Sequence, residues 1–162
     1  MVIVLKEYIE QGEYEPRKGL EYVKRDNVAL ITAFEDKFCV LQYNEVNYKS
    51  LITGGVEKGE DFELAVAREL LEETGYFDIA KIVLVENGIH VAKFYVEHKH
   101  QNRLAFYYPY FVQLNSLENK DIAENESREH AHIWLTKDEV EQFGMFENHI
   151  MMFEEAVKVK KL

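Results

Sequence analysis

The sequence predicts an α/β fold in which a mixed β-sheet is packed between helices. β-rich runs precede a central helical stretch, further β-like runs follow it, and a second helical stretch covers 148–158. Strands on both sides of a helix, with another helix near the end, favour two helical layers around one sheet.

The strands before the central helix are short. Runs 28–33 and 38–42 are rich in β-branched and aromatic residues and are separated by a short polar turn, which predicts a hairpin. A third run, 51–53, ends at Gly54 and Gly55. These glycines mark the place where the chain leaves the sheet and turns toward the helix.

Three β-like runs follow the helix, at 82–86, 90–96 and 104–114. The last two are predicted to form a second hairpin, joined by the polar turn 99–103. A brief strand at 133–135 precedes the terminal helix. No internal repeat or low-complexity tract interrupts this order.

Composition predicts a single domain over residues 1–162. The chain is 47% hydrophobic and 13% aromatic, so it can bury a sizeable core. Its one cysteine, Cys39, cannot form an internal disulfide, which favours the reducing cytoplasm. The first twenty residues are rich in charge and predict neither a signal peptide nor a membrane span.

The charge balance disfavours one class of partner. The formal net charge is -11, whereas proteins that bind a nucleic-acid polymer depend on basic surfaces. A small phosphorylated substrate would also be repelled unless a metal ion received its phosphates.

The central helix carries an acidic cluster. It is predicted to follow Asp61, as N-cap, and to end at Gly75. A helical wheel places Glu69, Glu72 and Glu73 on one side and an apolar stripe against the sheet on the other. The apolar stripe consists of Leu64, Ala67, Leu70, Leu71 and Thr74.

This cluster is unfavourable for the helix itself. Like charges at i, i+3 and i+4 repel one another by about a few tenths of a kcal/mol per pair. Glu72 and Glu73 also lie in the last turn, where the helix dipole disfavours negative charge. The simpler interpretation is a solvated acidic face, softened by an ion pair from Arg68 to Glu72. The functional interpretation is a site for a divalent cation.

The loop before the helix favours the functional interpretation. Glycines let its backbone approach an anion or a metal closely. The pattern G-x5-E-x7-R-E-U-x-E-E-x-G, with U a bulky aliphatic residue, is filled by Gly54, Glu60, Arg68, Glu69, Leu70, Glu72, Glu73 and Gly75. This stretch resembles the Nudix box, in which Tyr76 replaces a final aliphatic residue and Thr53 stands where family members often have glycine.

The resemblance implies a Nudix-type α/β/α sandwich and a hydrolase that cleaves a diphosphate linkage. By this resemblance, Mg²⁺ or Mn²⁺ would be bound by Glu69, Glu72 and Glu73, with the carbonyl of Thr53. The metal would bridge the diphosphate oxygens and activate a water molecule. A further ligand is expected from Glu124, Glu126 or Glu129, with Glu126 preferred, although each is also explained as a solvent-facing loop acid.

The same resemblance assigns roles to the other box residues. Glu69 is the preferred general base, although in this family the base can also come from a loop outside the box. Arg68 would orient Glu69, and Glu60 would brace the loop against the helix. The backbone at Gly54 and Gly55 would lie against the substrate.

The turn 98–103 is the clearest cationic cluster in the acidic chain. It is predicted to contact substrate phosphates through His98, Lys99 and Arg103, or else to be a solvated hairpin tip. His98 and His100 have no third ligand nearby, so no zinc site is predicted.

Aromatic residues offer stacking surfaces for a nucleobase or a pterin. They are Tyr95, Phe106, Tyr107, Tyr108 and Tyr110, and alternation along a strand predicts that half of them are core. His130 and His132 are predicted to flank a strand without a chemical role, and Trp134 is predicted to be buried and not to bind a ligand.

A nucleoside triphosphate, damaged ones included, is the first expected substrate, followed by a dinucleoside polyphosphate, a pterin triphosphate or ADP-ribose. Two alternatives stay open: an isoprenoid-diphosphate isomerase, for which Cys39 is a poor candidate acid, and a nucleotide sensor without turnover. The resemblance and the aromatic content favour a homodimer over a monomer.

Overall fold

A computed structural model of the protein describes residues 6–44, 48–123 and 130–160. Within these residues, nine strands form one mixed sheet. The strands are β1 (Lys6–Ile9), β2 (Tyr22–Phe34), β3 (Lys37–Tyr43), β4 (Lys49–Ser50), β5 (Ile52–Gly55), β6 (Ile79–Leu84), β7 (His90–Val96), β8 (Gln101–Leu114) and β9 (His130–Thr136). The helices are α1 (Phe62–Thr74), α2 (Lys137–Gln142) and α3 (Glu147–Lys160).

The sheet has the order β1-β7-β8-β2-β3-β4, while β5 pairs with β2, β6 with β8, and β9 with β3. The long strands β2 and β8 run parallel at its centre, and β1 runs parallel to β7. The other strand pairs are antiparallel. The mixed sheet predicted from the sequence is therefore confirmed.

Both faces of the central strands are covered. Along β2, Val28 and Leu30 pack beneath α1, while Ala29 and Ile31 pack beneath α3. Because successive side chains point to opposite faces, a strand covered on both sides is apolar at every position. This explains the continuous apolar run 28–33. No helix in the described part of the chain is long and apolar enough to cross a membrane.

Both predicted hairpins are present, with one correction. β2 pairs with β3, and β7 pairs with β8. The second turn is a 3-10 turn at Glu97–Lys99, so Arg103 lies inside β8 and not in the turn. The neighbouring Asn102 is buried, and hydrogen bonds satisfy its side-chain amide. Its oxygen accepts from the Arg17 N–H, and its nitrogen donates to the Arg17 and Leu20 carbonyls. These bonds hold 102–103 in the sheet.

Helix α1 has the predicted ends. The Asp61 side chain accepts from the Glu63 N–H, and Gly75 takes a left-handed conformation with φ of 85°. The predicted apolar stripe was partly wrong, because Leu64 and Leu71 are exposed. The residues buried on this helix are Ala65, Val66, Glu69, Leu70 and Thr74. The packed face of the helix therefore includes Glu69 and excludes Leu64 and Leu71.

Candidate active site

Glu69 lies directly against the backbone of β5. Antiparallel pairing with β2 sets Gly54 opposite Val28, on the face that α1 covers. A Cβ added to Gly54 would overlap the Glu69 carboxylate. Glycine at this position therefore leaves the space in which the carboxylate sits, and Glu69 is only 7% exposed.

Arg68 connects the loop to the helix. Its Nε and Nη2 donate to the two carboxylate oxygens of Glu60 at 2.8 and 2.9 Å. Nη2 also donates to the Gly55 carbonyl at 2.9 Å, and Nη1 donates to Glu69 Oε1 at 2.7 Å. A planar guanidinium that makes four such bonds fixes the carboxylate of Glu69 relative to the loop.

The hydrogen bonds between Arg68 and Glu60 shift the pKa of both side chains. Hydrogen bonds from Arg68, followed by one from the Glu57 N–H, lower the pKa of Glu60 to about 2. The bonds to Glu60 and Glu69 raise the pKa of Arg68 above its ordinary value. Both groups are therefore charged throughout the physiological range.

The Glu60 pKa predicts a pH dependence of stability. Because the folded-state pKa is below that of the unfolded chain, ionised Glu60 stabilises the fold above its ordinary pKa of 4.5, and this is lost as the pH falls toward about 2. We expect the wild type and Glu60→Gln to differ in unfolding temperature at pH 7 and to converge toward pH 2, as followed by circular dichroism. A constant difference across that range would contradict this assignment.

The other two glutamates of the cluster are placed differently. Glu72 is half exposed, with Oε2 at 3.4 Å from Nη1 of Arg68. The Glu73 carboxylate contacts Nε2 of His130 on β9. His130 is buried, and its contact with Glu73 is one that the sequence interpretation did not include. Pairing of β3 with β9 brings it to the helix, and no local pattern signals that contact.

The donor set fits a hard divalent cation, which prefers carboxylate and carbonyl oxygens. Glu69 is oriented by Arg68, and exposed Glu72 can rotate toward it. In their present rotamers, no three His, Cys, Asp or Glu side chains of the described residues converge on one point. Thr53 precedes Gly54 on β5, opposite Ala29. The candidates Glu124, Glu126 and Glu129 lie outside the described residues.

A cavity of about 360 Å³ opens on the face of the sheet opposite α1. It lies over β7 and β8 and is bounded by the start of α3. Its aromatic lining consists of Tyr8, Tyr14, Tyr48, Phe94, Tyr95, Tyr107 and Phe146. Its polar lining consists of Glu10, Glu97, His98, Asn148 and His149. A volume of this size and an aromatic wall suit a planar ring.

Strand alternation divides the aromatic residues that the sequence singled out. Tyr95 and Tyr107 line the cavity. Tyr108 and Tyr110 belong to the core on the α1 face, where Tyr108 packs against Phe62 with ring centroids 4.8 Å apart. The placement agrees with the prediction that about half of the set is core packing, and a binding surface for the remainder stays a prediction.

The cationic turn is also divided. His98 lines the cavity and Lys99 is exposed. Arg103 is buried within β8. The three residues therefore do not form one basic patch.

Comparison with known proteins decides the family. A sequence model of the NUDIX domain matches residues 23–155. The chain belongs to the Nudix family. No sequence among the curated proteins matches it. Its box and fold are those of a Nudix hydrolase.

Solved Nudix structures share this fold. A NUDIX hydrolase from Nitrosomonas europaea is 19% identical with a TM-score of 0.59, over 85% of this chain and 91% of that one. A MutT NUDIX hydrolase from Burkholderia pseudomallei is 18% identical with a TM-score of 0.61, over 82% and 98%. A C. elegans Ap4A hydrolase is 15% identical with a TM-score of 0.58, over 86% and 98%. The predicted Nudix α/β/α sandwich is confirmed.

Proposed function

We propose that this Nudix hydrolase uses Mg²⁺ or Mn²⁺ to cleave a diphosphate linkage in a nucleoside triphosphate or a related small nucleotide. The observation that carries the proposal is the position of the Glu69 carboxylate, which lies directly against Gly54 and accepts a hydrogen bond from Arg68. A buried carboxylate fixed in this way beside a half-exposed second one supports a metal-dependent reaction more than a solvated acidic face.

The box residues have distinct proposed roles. Glu69, Glu72, Glu73 and the Thr53 carbonyl bind the metal, and Glu126 is the proposed further ligand. When bound, the metal offsets the charge of the phosphates and lowers the pKa of a water molecule. Glu69 is the preferred general base.

Two further box residues position Glu69. Arg68 directs its carboxylate, and Glu60 holds Arg68 through two hydrogen bonds. Gly54 and Gly55 are the proposed backbone contacts to the substrate, because their missing side chains let the Glu69 carboxylate and the Arg25 guanidinium lie directly against this loop.

The cavity is the proposed site for the ring of the substrate. Tyr107 and Phe94 offer faces for stacking, and His98 contributes at the rim. Burial raises the pKa of Glu10, while burial and nearby His90 lower the pKa of His149 to about 4. Neutral His149 accepts from the Leu51 N–H through Nδ1, so its proton is on Nε2. The lining thus carries both an acceptor and a donor.

The alternatives are less well supported. Cys39 is 1% exposed and lies in the core beneath α1, and burial raises the pKa of its thiol. A substrate cannot reach it, which disfavours an isomerase that would use a thiol acid. A nucleotide sensor has no need for the Arg68-held carboxylate.

The direct test is a screen of nucleoside triphosphates, dinucleoside polyphosphates, a pterin triphosphate and ADP-ribose with Mg²⁺. The screen follows released phosphate and pyrophosphate. We expect turnover of at least one triphosphate that is abolished by EDTA and restored by Mg²⁺ or Mn²⁺. Turnover of none of these compounds with either metal would contradict the proposal.

The His130–Glu73 contact gives a second prediction. His130→Ala is expected to raise the Mg²⁺ concentration for half-maximal activity by about tenfold or more, because residues that orient a metal ligand typically contribute that much affinity. Activity is measured against Mg²⁺ concentration. His100→Ala is the control, since exposed His100 contacts Tyr95 far from the box. An unchanged Mg²⁺ requirement in His130→Ala would show that His130 does not support the proposed metal site.

Three further properties are proposals from sequence and family. They are a single domain over residues 1–162, a cytoplasmic location and a homodimer. Sedimentation at several concentrations tests the last of these.

A further inference from the structure

Two arginines lie on the cavity face of the sheet, between the cavity and the Nudix box. Arg103 on β8 pairs with Phe94 of the cavity wall on one side and with Val23 of β2 on the other. Arg25 lies two residues along β2 and therefore points to the same face. A Cβ added to Gly55 would overlap the Arg25 guanidinium, which places that group directly over the loop of the box.

Both guanidinium groups lack a carboxylate partner among the described residues. No carboxylate of residues 6–44, 48–123 or 130–160 forms an ion pair with Arg25 or Arg103. Arg103 is 8% exposed, and its buried Nε has no hydrogen-bond partner in the part of the chain that the structure describes. Burial and the neighbouring Arg25 lower the pKa of Arg103.

This arrangement costs stability. A buried cation without a partner and a second like charge beside it both disfavour the folded state. The chain has more acidic than basic residues. A shortage of acidic side chains therefore does not explain why these two arginines lack a carboxylate partner among the described residues. A bound anion would supply the missing partner and offset the repulsion.

We propose that Arg25 and Arg103 together bind a phosphate group that the metal does not hold, so that the enzyme selects substrates with three or more phosphates in a chain. This inference rests on the proposed function and assigns a phosphate position within it. The carboxylates at β5 and α1 take the scissile diphosphate. The arginine pair takes the next phosphate toward the cavity, and the ring enters the cavity.

The strand spacing agrees with this order. Measured along the sheet, the cavity wall on β7 is separated from β5 by β8 and β2, which is three strand spacings or about 14 Å. Arg25 lies against Gly55 on the cavity face and Glu69 against Gly54 on the α1 face, so the proposed phosphate chain changes faces at β5. A ring in the cavity and a diphosphate at β5 therefore need a connecting segment. A sugar and one more phosphate fill it, with the phosphate beneath Arg25 and Arg103.

The first test measures anion binding without turnover. Inorganic tripolyphosphate is titrated by calorimetry into the full chain with EDTA at low ionic strength. We expect Arg25→Met and Arg103→Met each to weaken binding by about tenfold or more, since a charge-assisted hydrogen bond is lost. Lys81→Met, which removes an exposed charge on β6, is the matched control and keeps wild-type affinity. Wild-type affinity in both arginine variants, or equal weakening in Lys81→Met, would overturn the proposal.

The second test separates a binding role from a structural one. Without anion, Arg103→Met is expected to unfold at the same temperature as the wild type or higher, because an unpaired buried charge is removed. Tripolyphosphate raises the unfolding temperature of the wild type but not of this variant. A lower unfolding temperature with an intact response to tripolyphosphate would overturn the proposal. Exposed Arg25 provides a variant that does not depend on core packing.

The third test measures turnover. It distinguishes a failure of the proposed function from a failure of the proposed phosphate site. With a nucleoside triphosphate that the enzyme hydrolyses, Arg25→Met is expected to raise KM by about tenfold with little change in kcat. Glu72→Gln, which is expected to lack turnover, retains tripolyphosphate binding in EDTA. A failure of hydrolysis with intact binding contradicts the proposed function alone, whereas an unchanged KM in Arg25→Met contradicts the phosphate site alone.

Discussion

Glu72→Gln is expected to lower kcat by about 100-fold or more while the unfolding temperature stays the same or rises. The change removes the charge of a proposed metal ligand, and metal-dependent charge stabilisation contributes several kcal/mol to such reactions. The fold does not depend on it, because Glu72 is half exposed and lies in the last turn, where the helix dipole disfavours a negative charge. Steady-state kinetics with saturating Mg²⁺ and a thermal melt measure both effects.

The matched control for this variant is Glu63→Gln. Glu63 is an exposed glutamate in the first turn of the same helix and is expected to keep wild-type kcat. Glu73→Gln is expected to behave like Glu72→Gln in activity. Wild-type turnover in both Glu72→Gln and Glu73→Gln would rule out the metal role of the cluster.

Gly54→Ala is expected to lower kcat by about 100-fold with the fold retained. The added methyl takes the position of the Glu69 carboxylate, and the flexible end of that side chain can move aside at modest cost. A displacement of about 1 Å at a reacting group is enough for a loss of this size. Kinetics with Mg²⁺ and a triphosphate measure the effect, and circular dichroism checks the fold.

The neighbouring glycine provides the comparison. A methyl at Gly55 meets the Arg25 guanidinium and not Glu69. Gly55→Ala is therefore expected to weaken tripolyphosphate binding in EDTA, whereas Gly54→Ala leaves that binding intact. If Gly54→Ala retained full kcat, the Glu69 carboxylate would not need its observed position.

The sequence predicted the parts of the site that are local in the chain. Residues from Gly54 to Gly75 are brought together by one loop and one helix, so their spacing alone places Glu60, Arg68 and Glu69 near each other. The ends of α1 were also predictable because Asp61 and Gly75 act on adjacent backbone groups.

The burial of Glu69 could not be predicted from the same segment. A helical wheel assigns glutamate to solvent, whereas the hydrogen bond from Arg68 and the missing side chain at Gly54 favour its burial. Leu64 and Leu71 were placed on the wrong face for the same reason. The error came from tertiary contacts that outweigh the polarity pattern.

The contacts that sheet pairing creates were not predictable either. Arg25 meets the box because β2 pairs with β5, and it meets Arg103 because β2 runs parallel to β8. Glu73 meets His130 through the β3–β9 pair. Such partners are far apart in sequence, and no local spacing relates them.

Hydrogen bonds between Arg17 and Asn102 hold the segment before β2 against the sheet beside the cavity. Tyr8, Glu10 and Tyr14 help to enclose the cavity, yet they precede residue 23, where the match to the NUDIX domain begins. Bonds from Asn102 and stacking of Arg17 on Tyr95 fasten this leading segment onto the sheet. In the proposed function, recognition of the ring therefore depends partly on residues that lie outside the segment that matches the NUDIX domain.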